Sequence, residues 1–208
     1  MTPLKGLYVI TDSHLMPDDR SLFSAVEAAL AGGSRVVQYR DKSTDNIKRL
    51  RQASYLNRLC RDNQRIFIVN DDISLAAQCD AHGVHIGQQD AKLTTARDIL
   101  GNTAIIGVTC HDQQALAQQA YTQGASYIAL GAFFPSTTKP NAIPAPMSLL
   151  QQVRTEVSCP IVAIGGIRVD NAQPLIDAGA DMIAVVHALF TAPSIHQQAH
   201  DFTELFNR

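Results

Sequence analysis

Gln38, Arg40 and Lys42 stand at alternate positions at and just past the end of a short apolar run, so an extended chain puts an amide and two cations on one face. That trio suits an anionic substrate, because a guanidinium fork holds a pair of phosphate oxygens while an ammonium adds a point charge. Asn70, Asp71 and Asp72 close a later run, and Asp90 follows the next one. Asp71 and Asp90, at the ends of neighbouring strands, could share one hard cation. Magnesium is the natural choice, since it binds through one or two carboxylates plus substrate phosphates. Asp72 is assigned instead to capping the helix expected over 73–78. The stretch from Pro135 to Pro140 offers the hydroxyls of Ser136, Thr137 and Thr138 with the amine of Lys139. This is a phosphate-recognition composition without the glycines of a P-loop. Gly165-Gly166 lets backbone approach an anion closely, and His187 can donate to it. The inventory holds no Ser-His-Asp set, no cysteine in a basic pocket and no lysine alone in an apolar strand. A reaction joining two phosphorylated or diphosphorylated molecules fits these residues better than hydrolysis or aldol chemistry.

Eight apolar runs must position these clusters: 7–11, 36–40, 66–70, 83–86, 104–109, 127–130, 161–164 and 181–186. Most are continuous rather than alternating, as expected of parallel strands covered on both faces. Helical stretches separate them, with Ser21, Thr44, Asp112, Asp170 and Ser194 as expected N-caps. Glycines 32, 83, 124 and 179 recur between a helix and a strand, where a left-handed residue is often needed. Eight strands, each ending in a polar or glycine cluster, predict an α/β fold: a single (β/α)8 TIM barrel over residues 1–208. Its active site would lie at the C-terminal ends of the strands. The 133–146 stretch is the longest loop and a candidate lid.

The whole-chain totals narrow the function classes. At 208 residues and 46% hydrophobic content, the chain can bury one sizeable core. A net charge of -2 leaves no basic footprint for nucleic acid and no polybasic membrane signal. No apolar stretch approaches the roughly 18 residues of a membrane span, and the N-terminus does not read as a signal peptide. The four cysteines, at 60, 79, 110 and 159, lack CxxC spacing and read as reduced thiols of a cytoplasmic protein. The pairs His82/His85 and His196/His200 have no third ligand nearby, which argues against metal binding. His111 either lines the site or caps the following helix.

In this order the clusters resemble the thiamine phosphate synthase family. The similarity covers essentially the whole chain through Tyr8–Asp12, Gln38–Lys42, Val69–Asp72, Gly83–Asp90, Gly107–His111, Gly131–Lys139 and Ala163–Ile167. The resemblance implies condensation of hydroxymethylpyrimidine diphosphate with a thiazole or carboxythiazole phosphate, giving thiamine phosphate and pyrophosphate. It implies that Gln38, Tyr39, Arg40, Asp41, Lys42, Asn70, Thr109 and Lys139 bind the pyrimidine diphosphate. Arg40, Lys42 and Lys139 would stabilise the leaving group, with Asp71 and Asp90 holding Mg2+. Ser136, Thr137, Thr138, Gly166, Val186 and His187 would bind the thiazole phosphate. Thr109 and Ser136 exchange one hydroxyl residue for another relative to the commonest family pattern, and His187 stands where serine is frequent. The partners are then two small phosphorylated molecules; the sequence leaves open whether the chain works as a homo-oligomer. A thiazole tautomerase on the same scaffold would need no pyrimidine diphosphate site, so Asp71, Asp90 and Lys139 argue against it. A sugar-phosphate epimerase would want an acid/base pair at the strand ends. A phosphate-binding regulator would have no use for magnesium carboxylates beside three cations.

Overall fold

Strands and helices alternate along the computed structural model, which describes residues 4–135 and 144–207. The order is β1 (Gly6–Ile10), α1 (Asp19–Ala31), β2 (Val36–Tyr39), α2 (Asn46–Asp62), β3 (Ile66–Asn70), α3 (Ile73–Gln78), β4 (Gly83–Ile86) and α4 (Leu93–Leu100). It continues through β5 (Ile105–His111), α5 (Gln114–Thr122), β6 (Tyr127–Leu130), α6 (Ser148–Glu156), β7 (Ile161–Ile164), α7 (Val169–Asp177) and β8 (Met182–Val185), then α8 (His187–Phe190) and α9 (Ile195–Glu204). Each strand pairs in parallel with the next, and β1 pairs with β8, so the sheet closes as a barrel. All eight expected strands are present, with ends within about two residues of those read from the sequence.

Alternation along each strand sorts side chains into two apolar groups. Tyr8, Val36, Ile68, Tyr127, Val162 and Met182 fill the barrel interior. Leu7, Val37, Phe67, Val84 and Ile128 face outward and pack with helix residues such as Leu56, Leu150 and Phe202. Both strand faces are therefore covered, which is why the runs read as continuously apolar. Removing such outward-facing side chains from water is worth roughly 1.5–3 kcal/mol each.

Helix starts depart from the sequence reading in four of five places. Asp18 caps α1, and Ser21 takes the third helical position of a capping box. Asp45, not Thr44, caps α2 through the Lys48 N–H at 2.9 Å. Gln113 precedes α5 without a side-chain cap, and α7 begins after Arg168, whose N–H donates to Asn171 Oδ1 at 2.8 Å. Ser194 caps α9 as expected. A cap must reach an N–H two or three residues ahead, and adjacent oxygen-bearing residues compete for that place. Among the glycine turns, Gly33 rather than Gly32 takes the positive φ. Gly83 begins β4, where a Cβ would lie 1.7 Å from the Ile105 carbonyl oxygen.

Candidate active site

Because the strands are parallel, all their C-terminal ends meet at one rim. A cavity of about 470 Å³ opens there, lined by Gln38, Arg40, Asn70, Thr109, Gly166 and His187 among others. Thr11, at the end of β1, fixes the neighbouring end of β2: its hydroxyl oxygen accepts the Arg40 N–H at 2.8 Å. Gln38 and Arg40 consequently share the cavity. The intervening and following residues, Tyr39 and Asp41, turn outward. The Tyr39 hydroxyl donates to Gln52 Oε1 at 2.7 Å, and Asp41 pairs with Lys48 at 3.0 Å, both on α2. These two side chains thus anchor the strand end from behind. Burial and the Asp41 charge push the Tyr39 phenol above its ordinary pKa. Burial also opposes ionisation of Asp41, but the Ser43 N–H and Lys48 outweigh it and hold its carboxyl below the usual value.

Asp71 sits immediately past β3 in the left-handed region, φ 60°, with its N–H donating to the His85 carbonyl at 2.8 Å. A non-glycine residue held there costs on the order of 1 kcal/mol and is a pointer to function. Its carboxylate pairs with the Lys42 ammonium and lies in hydrogen-bonding reach of Asp90. Burial opposes ionisation of Asp71; the Lys42 ammonium that donates to it overcomes that and holds the carboxyl below its ordinary value. Asp90 Oδ2 also accepts the Gly87 N–H at 2.7 Å. Two carboxylates converging on one cation is a donor set that suits magnesium, whose other positions go to phosphate and water. Among the described residues no group of three such ligands occurs. Asp72 caps α3 through the Leu75 N–H at 2.9 Å and pairs with Arg49 at 2.8 Å.

The opposite side of the cavity is a backbone-rich corner. Gly165 and Gly166 both have positive φ, and a Cβ on Gly166 would lie 2.2 Å from the Pro135 carbonyl oxygen. Asn171 Nδ2 donates to the Gly166 carbonyl at 3.2 Å and holds the turn. Val186 and His187 join this corner where β8 passes into α8. Ser136, Thr137, Thr138 and Lys139 lie outside the described residues, as does much of the 133–146 loop.

Sequence reading missed the floor of the cavity. Gln38, Tyr8, Tyr127, His85 and Thr109 form one buried series of hydrogen bonds across the barrel. The alternation along β1, β4 and β6 marks Tyr8, His85 and Tyr127 as inward residues, but their mutual contact joins positions 119 and 42 residues apart.

A closed parallel barrel, with cations and paired carboxylates on one side of its mouth and a glycine corner on the other, has the architecture of the (β/α)8 enzymes, whose active sites lie at that rim. The family model for thiamine monophosphate synthase matches residues 7–189. A thiamine-phosphate synthase of Thioalkalivibrio sulfidiphilus is 47% identical over 203 residues, covering 98% of this chain and 96% of that one. Another, of Alcanivorax borkumensis, is 52% identical over 187 residues, covering 90% and 86%. The solved thiamine phosphate pyrophosphorylase from Pyrococcus furiosus superposes with a TM-score of 0.87 at 31% identity, covering 97% and 95%. The chain belongs to the thiamine monophosphate synthase family, and is a transferase of thiamine biosynthesis. No helix among the described residues is long and apolar enough to cross a membrane.

Proposed function

We propose that the enzyme joins hydroxymethylpyrimidine diphosphate to a thiazole phosphate, giving thiamine phosphate and pyrophosphate; with the carboxythiazole form, carbon dioxide leaves as well. The observation that carries this reading is the meeting of Lys42, Asp71 and Asp90 at one side of the mouth, in a chain of this family. In the reaction the bond between the pyrimidinylmethyl carbon and the diphosphate oxygen breaks, and its electron pair leaves with pyrophosphate. The electron-rich aminopyrimidine stabilises the methylene cation, and the thiazole nitrogen lone pair forms the new carbon–nitrogen bond. No protein nucleophile is needed.

Arg40, Lys42 and Lys139 offset charge developing on the departing pyrophosphate, the kind of electrostatic stabilisation that usually contributes most. Gln38, Asn70 and Thr109 hold the pyrimidine diphosphate, while Tyr39 and Asp41 brace that strand end against α2. Gly166, Val186 and His187, with Ser136, Thr137 and Thr138, receive the thiazole phosphate. Asp71 and Asp90 would hold Mg2+, which supplies neutralising charge to the diphosphate when bound. Holding the two substrates in attacking geometry supplies much of the remaining acceleration. A cytoplasmic setting is part of this reading, in keeping with four cysteines that stay free thiols.

The test supplies both substrates with magnesium and follows thiamine phosphate by oxidation to its fluorescent product. Product is expected, and it should disappear with a chelator. Product that survives chelation would remove the metal from the reading. No product from folded protein would overturn the synthase.

A further inference from the structure

The buried series under the cavity has a direction. Gln38 Nε2 lies 2.7 Å from the Tyr8 hydroxyl, and an amide nitrogen only donates. Tyr8 is 1% exposed, and the Tyr127 hydroxyl, 2.8 Å away, is the acceptor for its proton. Tyr127, fully buried, passes its own proton to His85 Nδ1 at 3.0 Å. A ring nitrogen that accepts carries no hydrogen, so neutral His85 has its proton on Nε2. That N–H faces Thr109 Oγ1 at 2.8 Å. Thr109 accepts it and turns its own proton toward the cavity it lines. Were Tyr127 to donate back to Tyr8, the Tyr8 proton would be buried without an acceptor, which folded proteins avoid.

We propose that Tyr8 and Tyr127 are positioning residues of a one-way hydrogen-bond chain that holds His85 as its Nε2–H tautomer and makes the Thr109 hydroxyl a donor to the bound ligand. Burial raises both phenols well above their ordinary pKa, so they relay orientation without ionising. Gly107 seats the chain. It lies in register between His85 and Tyr127, and a Cβ there would come within 2.0 Å of Tyr127 Cζ. The chain thus presents a hydroxyl donor on Thr109 and leaves Gln38 Oε1 as an acceptor, both on cavity-lining residues. A heteroaromatic ring with an acceptor nitrogen beside an amino donor is complementary to that pair; identifying it as the aminopyrimidine rests on the proposed function.

Long-range 15N–1H correlation spectra of the histidine-labelled, ligand-free enzyme in mildly alkaline buffer test the chain without any substrate. His85 signals are assigned by their loss in His85→Asn. The Nε2–H tautomer is expected in the parent, and mixed tautomers in Tyr127→Phe. Gly107→Ala should mix them too, although it keeps every polar group of the chain. An Nδ1–H tautomer in the parent, or a tautomer unmoved in folded Tyr127→Phe, would overturn the proposal. In the assay, Tyr127→Phe should lower kcat/KM for the pyrimidine diphosphate about tenfold, the loss of one directed hydrogen bond, with KM for the thiazole phosphate unchanged. Equal changes toward both substrates would also overturn it. A parent with the expected tautomer but no thiamine phosphate formation would count against the function alone.

Discussion

Asp71 answers several demands with one side chain. Its backbone sits at φ 60° so that its N–H can reach the His85 carbonyl, and its carboxylate meets Lys42 and Asp90. The proposed metal role and the backbone role separate by substitution. Asp71→Ala is expected to abolish turnover while circular dichroism stays native. Asp71→Gly should also be inactive yet no less stable than Asp71→Ala, because glycine takes a positive φ at no steric cost; activity in either variant would remove Asp71 from the metal site. Gly166 makes the complementary case. Both its φ of 62° and the Pro135 oxygen 2.2 Å from a Cβ leave no room for a side chain. Gly166→Ala should raise KM for the thiazole phosphate well above any change for the diphosphate. It should also lower stability by about 1–3 kcal/mol through backbone strain, read from the urea midpoint.

Strands and helices set which residues reach the mouth and which brace it. Within Gln38–Lys42, alternation sends Gln38 and Arg40 inward and Tyr39 and Asp41 back to α2. The Asp41 side chain is 2% exposed, and removing it leaves Lys48 without its partner. Asp41→Ala should therefore cost about 2 kcal/mol, below the usual figure for a buried pair because Lys48 is partly exposed. Its effect on catalysis should come through the position of Arg40. Asp72 does comparable work at the start of α3, where it caps Leu75 and pairs with Arg49. Asp72→Ala should lower stability by about 1–2 kcal/mol, as loss of an N-cap does, with the urea slope unchanged. The capping role of Asp72 was legible because it directly precedes an apolar-periodic stretch. The caps of α1 and α2 were not, because Asp18 competes with Ser21 and Asp45 with Thr44 within one turn.

Across the whole molecule, one closed barrel couples the site to overall stability. Asp41 and Asp71 are both held below the ordinary carboxylate value of 3.8. Folded-state values lower than unfolded ones add stability that is present above about pH 4 and lost as pH falls through the folded values. The thermal midpoint should accordingly drop on acidification below about pH 4, and Asp41→Asn should flatten that drop. An unchanged slope in the variant would remove the Asp41 contribution.

The amino-acid sequence by itself determined the strand count, the parallel barrel and the rim residues. These depend on local signals: continuous apolar runs, helix punctuation, and polar clusters at fixed offsets after each run. It also brought Asp71 and Asp90 together, since neighbouring strands in a barrel bring their ends together; the Lys42–Asp71 pair came from the structure. Only the tertiary structure decided that Tyr39 and Asp41 brace the strand end against α2, and that Gln38, Tyr8, Tyr127, His85 and Thr109 are linked. Those facts depend on inward or outward facing and on contacts across the barrel, where partners such as Tyr8 and Tyr127 are 119 residues apart. Closure of the sheet creates that proximity, and no local pattern in the chain encodes the hydrogen bonds that result.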